Sequence, residues 1–63
     1  MNKILSSIRT RRKAAHLTQE QLGLLMGYSK ATAKNRISQY EIGYRMPKID
    51  TLTKMDKIIS KHE

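Results

Sequence analysis

The sequence predicts an all-α fold, a compact domain of four helices. Apolar residues recur every three or four positions instead of alternating, which is the spacing of helices. Glycine and proline, the residues that most often interrupt regular structure, occur only at Gly23, Gly27, Gly43 and Pro47. A chain of 63 residues without cysteine allows one domain, 1–63, that must be stabilised by helix packing, a dimer interface or a ligand.

The first two helices are predicted from one apolar stripe and one capping pattern. The first helix covers roughly residues 2–15, and its inward stripe consists of Ile4, Leu5, Ile8, Arg12 and Ala15. Leu17 follows in the turn. Thr18 and Gln21 have the spacing of a capping box, which begins a second, short helix. This helix ends at Gly27, a residue suited to positive φ, and its predicted buried face consists of Leu22, Leu25 and Met26.

The last two helices are predicted on either side of a glycine turn. Ser29 is the candidate N-cap of a third helix from about Lys30 to Ile42, which Gly43 ends in a left-handed conformation. After Pro47 a fourth helix covers roughly residues 49–61. Its predicted inward residues are Ile49, Leu52, Met55 and Ile59. The four methionines are interpreted as core residues, because methionine fills irregular gaps.

The charge of the chain points to a polyanionic partner. Lysine and arginine number 13 against 5 acidic residues, which gives a net charge of +8. Residues 1–48 hold ten of the basic and two of the acidic side chains, so the whole excess lies there. Such an asymmetry is expected where one surface docks on nucleic acid, although a basic soluble protein without such a partner is the competing interpretation.

The third helix has the composition of a helix that reads bases. At about 100° per residue, Ala33, Ile37 and Tyr40 fall on one side and should pack on the second helix. The opposite side and its flanks carry Thr32, Lys34, Asn35, Arg36 and Gln39. Asparagine and glutamine can pair with adenine, and arginine or lysine with guanine, in the major groove. A solvated polar face is the alternative, but Glu41 is the only acid between residues 28 and 47.

Glu41 lies at the edge of the buried side of the third helix, where an unpaired carboxylate would be costly. Arg12 is the only cation in the inward stripe of the first helix. We therefore predict a partly buried bidentate pair between the two, which would fix the angle between their helices. Two independent surface charges are the alternative.

Several segments together resemble the helix-turn-helix of phage Cro and CI-type repressors, also called XRE-like regulators, over roughly residues 8–59. They are Thr18-Gln19-Glu20-Gln21-Leu22, Gly27-Tyr28-Ser29, Ile37-Ser38-Gln39-Tyr40-Glu41-Ile42-Gly43 and Pro47. The resemblance implies a lambda-repressor-like four-helix fold in which helices 2 and 3 form the helix-turn-helix.

The resemblance also implies roles for individual residues. Lys34, Asn35, Arg36 and Gln39 match base-reading positions, and Gln19 matches a position that touches the DNA backbone. Arg12 and Glu41 match an interhelical salt bridge, and Tyr44-Arg45-Met46 matches a loop that lies against phosphates. From charge and position, the predicted phosphate contacts are Arg9, Arg11, Lys13, Lys30, Arg45 and Lys48, and the resemblance adds Gln19.

Three positions depart from the family pattern. Gly27 and Glu41 are fourteen positions apart, which is about one helical turn more than in the family pattern. Either a third helix that begins one turn earlier or a longer turn over Tyr28–Thr32 could accommodate the added residues. The roles of Lys30 and Thr32 depend on that choice. Gly23 stands where the family prefers alanine, at the closest approach of two helices. Asp56 stands where alanine is usual in the last helix, so that helix could sit differently.

We expect the chain to be a cytoplasmic repressor of transcription that binds double-stranded DNA at a palindromic operator. It should bind there as a homodimer, and whether it is a monomer in solution is left open. An antitoxin or controller that also holds a partner protein is the alternative. A membrane-active basic peptide is disfavoured by the cap and turn signals. Catalysis is rejected, since His16 and His62 lack a reactive partner and His16 stands where the family often has glycine. We expect no cofactor and no metal site.

Overall fold

The computed structural model describes the backbone of residues 3–62 and the side chains of residues 8–62. Within this range the chain forms four helices and no strand: α1 (Lys3–Ala14), α2 (Gln19–Leu25), α3 (Lys30–Glu41) and α4 (Ile49–His62). The predicted all-α, four-helix fold is confirmed. No helix in the described range is long and apolar enough to cross a membrane. Ile4, Leu5 and Met1 lie outside the described side chains.

The predicted capping box of α2 and the two predicted glycine turns are present. Thr18 accepts from the backbone N–H of Gln21 at 3.0 Å, and the Gln21 side chain accepts from the backbone N–H of Thr18 at 2.8 Å. This is the reciprocal capping box that begins α2. Gly27 and Gly43 adopt φ values of 98° and 81°. His16, at the end of α1, has a φ of 61°, which is the left-handed conformation that glycine usually supplies.

The core is formed by one stripe from each helix. Its fully buried large side chains are Leu22, Ile37, Met55 and Ile59. Other buried residues, such as Ile8 of α1, pack around them. Ala33 and Tyr40 are buried as predicted, and Leu52 is partly buried against the core.

Three residues predicted to be buried are exposed instead. Leu25 is 46% exposed because it is the last residue of α2, where Leu22 and Met26 already fill the contact with the core. Ile49 is 78% exposed because it is the first residue of α4, whose buried residues, Met55 and Ile59, lie further along the helix. Met46 is exposed in the loop between α3 and α4, so the interpretation of every methionine as a core residue was wrong.

The two central helices approach each other most closely at Gly23 and Ala33. A Cβ atom added to Gly23 would lie 2.5 Å from the Cβ and 2.6 Å from the Cα and carbonyl oxygen of Ala33. Real Cβ atoms do not approach backbone so closely. The alanine that the family prefers would therefore not fit between these helices without moving α3.

The extra residues between Gly27 and Glu41 lengthen α3 at its start. The turn after α2 covers only residues 26–29, and α3 begins at Lys30 with Ser29 as its N-cap. Ser29 makes no side-chain capping bond, and its hydroxyl donates to the Thr32 hydroxyl at 3.1 Å. The prediction of a third helix extended by about one turn is confirmed.

Candidate nucleic-acid interface

A buried ion pair holds Glu41, the last residue of α3, to Arg12 of α1. Arg12 Nε donates to Glu41 Oε2 at 2.6 Å, and a second nitrogen of the guanidinium donates to Oε1 at 3.2 Å. The two side chains are only 8% and 2% exposed. Arg12 Nη1 also donates to the carbonyl oxygen of Leu17 at 2.8 Å, which ties down the turn between α1 and α2. The predicted bidentate pair is therefore present.

Gln19 joins this pair from the first turn of α2. Its Nε2 donates to Glu41 Oε1 at 3.1 Å, so one carboxylate contacts side chains from both α1 and α2. We call Arg12, Leu17, Gln19 and Glu41 the three-helix junction. The junction leaves no described buried side-chain polar atom without a partner. It also removes the only carboxylate of α3 from the exposed face of that helix.

The exposed face of α3 presents cations and an amide. Lys30, Lys34 and Asn35 are exposed, and Thr32 is half-buried beside Ser29. No acidic side chain of α3 shares this face, because Glu41 lies in the three-helix junction. Such a face offers hydrogen-bond donors and acceptors to base edges without repelling phosphates.

Arg36 is held against the start of α3 by a tyrosine. Its guanidinium lies 5.3 Å from the centre of the Tyr28 ring, a cation–π contact. The Tyr28 hydroxyl is 3.1 Å from that of Tyr40. Burial, and next the hydrogen bond with Tyr40, raise the pKa of Tyr28 to about 12, so the phenol stays neutral.

Gln39 contacts the loop that follows α3. Arg45 Nε donates to Gln39 Oε1 at 3.2 Å, and the backbone N–H of Arg45 donates to the carbonyl oxygen of Gln39 at 3.2 Å. The turn that brings Arg45 back begins at Gly43, whose N–H donates to the carbonyl of Tyr40 at 3.3 Å. The structure thus joins a predicted base-reading residue to a predicted phosphate contact.

The other predicted phosphate contacts lie in three different places. Arg9 and Lys13 of α1 line one surface groove of about 930 Å³ together with Lys34 of α3 and Gln19. Lys48 is exposed before α4. Arg11, in contrast, pairs with Asp56 of α4, a carboxylate that the sequence analysis left without a partner.

Three contacts of the predicted site residues were not predicted from the sequence: Tyr28 with Arg36, Arg45 with Gln39, and Asp56 with Arg11. The contact of Arg45 with Gln39 has a usable signal in the sequence, the helix-ending Gly43 two residues before the arginine. Turns of this kind return the chain to the last turn of the helix. The other two depend on how distant elements cross, for which the sequence contains no comparable signal.

Comparison with known proteins agrees with this geometry. A family model described as helix-turn-helix matches residues 8–62, which is most of the chain. No curated protein and no solved structure matches it. The matched range contains the three-helix junction, the turn at Gly27 and the exposed face of α3. The chain belongs to the Cro/CI-type, XRE-like helix-turn-helix family, and it is a DNA-binding transcriptional regulator.

Proposed function

We propose that the protein is a sequence-specific repressor that reads the major groove of double-stranded DNA with α3. The observation that carries this proposal is the exposed face of α3, where Lys34 and Asn35 are available while Glu41 is buried and neutralised. Asn35 would read a base by its amide, and Lys34 and Arg36 would contact guanine or neighbouring phosphates. Thr32 and Lys30 would contact DNA where the added turn of α3 enters the groove.

Affinity would come mainly from phosphate contacts around this helix. Arg9 and Lys13 lie in the same groove as Lys34 and Gln19, so α1 and α2 would contact the backbone on one side of the reading helix. Arg45 and Lys48 would contact it on the other side. Each contact releases counterions, so binding weakens steeply as salt rises. Arg11, which the sequence also predicts as a phosphate contact, is paired with Asp56, so this pair carries no net charge.

Two copies on a palindromic operator are part of the proposal. One small module covers few base pairs, and pairing two of them about one helical turn apart multiplies both affinity and specificity. The segment just after α3 supplies an apolar surface for a contact between copies. Its exposed large apolar side chains are Ile42, Tyr44, Met46 and Ile49.

Replacement of Asn35 by alanine tests the reading face. We expect selection from random duplex DNA to give the same operator as the unaltered protein, with the base preference lost at one position of each half-site. The loss should correspond to about 1–3 kcal/mol, the value of one good base contact. Lys48→Ala is the control, since loss of a phosphate contact weakens binding to all sequences alike. Uniform weakening by Asn35→Ala would contradict the assignment of α3.

A regulator that also holds a partner protein, as antitoxins and controllers do, is the second candidate. The observation that favours it is a shallow groove of about 490 Å³ where the exposed Leu24 and Leu25 meet Leu17 and His62. Its DNA-binding face would be the same. A neighbouring gene product that co-purifies with the chain would distinguish this candidate from a simple repressor.

A further inference from the structure

We propose that Arg45 determines which base Gln39 reads, and that the two side chains together select guanine. This inference rests on the proposed function, since it concerns the specificity of the same reading helix. It goes beyond that function because it turns a residue expected to contact only phosphate into one that specifies sequence.

The first step is the orientation of the Gln39 amide. A glutamine amide presents one acceptor, its oxygen, and two donors on its nitrogen. The neighbouring Arg45 Nε can only donate, so the atom it meets at 3.2 Å must be the amide oxygen. With the oxygen turned toward the loop, the NH₂ group is the end of Gln39 left to meet a base.

The second step is the anchoring of Arg45. The backbone N–H of Arg45 donates to the backbone carbonyl oxygen of Gln39. The two residues, six positions apart, are therefore joined by one main-chain and one side-chain hydrogen bond. Gly43, with a φ of 81°, produces the turn that allows this return. The side-chain contact is therefore supported by the path of the backbone at the end of α3.

The third step is the chemistry of the bases. Adenine presents one acceptor and one donor in the major groove, so a glutamine that reads it needs both its oxygen and its nitrogen. Guanine presents two acceptors, N7 and O6. The NH₂ group of Gln39 and the remaining guanidinium N–H groups of Arg45 form a surface of donors only. That surface matches guanine and leaves the N6 amino group of adenine without an acceptor.

The experiment is selection of bound sites from random duplex DNA by the full chain and by Arg45→Ala, followed by affinity measurements on the selected operator. The unaltered protein should require guanine at the Gln39 position. In Arg45→Ala the backbone contact remains but the amide oxygen is released, so preference at that position should move toward adenine. We expect the guanine-to-adenine affinity ratio to fall by about fivefold or more, with the other positions unchanged.

Two further variants complete the test. Gln39→Ala identifies the base pair concerned, because preference there should disappear. Lys48→Ala removes one cation from the same loop and should lower affinity equally for guanine and adenine operators. If Arg45→Ala behaves like Lys48→Ala and keeps the guanine preference, Arg45 is a phosphate contact only and the inference is overturned. If the unaltered protein selects no sequence, the proposed function itself fails, and the inference fails with it.

Discussion

Arg11 and Arg12 are neighbours on α1, yet they enter two different kinds of contact. Arg12 lies in the three-helix junction, where its ion pair with Glu41 is almost fully buried. Arg11 reaches across to α4, where it pairs with Asp56 with 34% and 59% of the two side chains exposed, and bonds the Ser60 hydroxyl at 3.1 Å. The same chemistry therefore occurs once inside the protein and once at its surface.

The difference follows from what else holds each element in place. α4 is attached by apolar burial, because Met55 and Ile59 are fully buried, and its Lys54 donates to the carbonyl oxygen of Met26 at 2.9 Å. The helix-turn-helix shares this apolar core through Leu22 and Ile37, but it is also oriented on α1 by polar groups that must pair correctly or lose their solvation energy. The orientation of α3, on which DNA reading depends, is accordingly the more sensitive of the two to a single substitution.

The largest effect is expected from Glu41→Gln, which removes the charge of the carboxylate but keeps its shape. Arg12 would remain buried without a counter-charge, which typically costs about 3–5 kcal/mol. A domain of this size is stabilised by only a few kcal/mol, so a large part of the variant should be unfolded. Urea unfolding followed by circular dichroism measures the loss.

The matched control is the double variant R12M/E41L, in which apolar side chains replace both partners. Because such replacements avoid the desolvation of two charges, part of the stability should return. The Leu17 carbonyl and the Gln19 amide, which lose their partners, account for the remaining deficit. A loss below about 1 kcal/mol for Glu41→Gln would mean that the buried pair behaves like an exposed one, and the contrast between Arg11 and Arg12 would disappear.

An intermediate effect is expected from Gly23→Ala, at the contact between α2 and α3. The new methyl group would meet Ala33 at 2.5–2.6 Å, and two of the three obstructing atoms belong to the backbone. Separation of the helices should cost more than the gain of about 1 kcal/mol in helix propensity, so we expect a net loss of about 1–2 kcal/mol. Thermal unfolding checks the sign: a stabilised variant would show that propensity dominates and that the helices can move apart freely.

The sequence was sufficient to predict the four helices and the Arg12–Glu41 pair, because both depend on helical periodicity and on the cost of an unpaired charge. The sequence was insufficient to predict that Leu25 and Ile49 are exposed, since periodicity does not tell whether a residue at a helix end still contacts another helix. The Arg45 contact with Gln39 depends on the path of a loop, which no periodic pattern determines.

The smallest effect is expected from Asp56→Asn, which breaks the exposed pair with Arg11. Exposed ion pairs contribute about 0–1 kcal/mol, because water already solvates both charges. Salt screens what remains, so the difference between Asp56→Asn and the unaltered protein should vanish at about 1 M salt. The deficit of Glu41→Gln should persist there, since ions do not enter the three-helix junction. Unfolding of both variants at low and high salt therefore distinguishes the exposed ion pair of Arg11 from the buried ion pair of Arg12. An equal dependence of the two stability losses on salt would contradict this distinction.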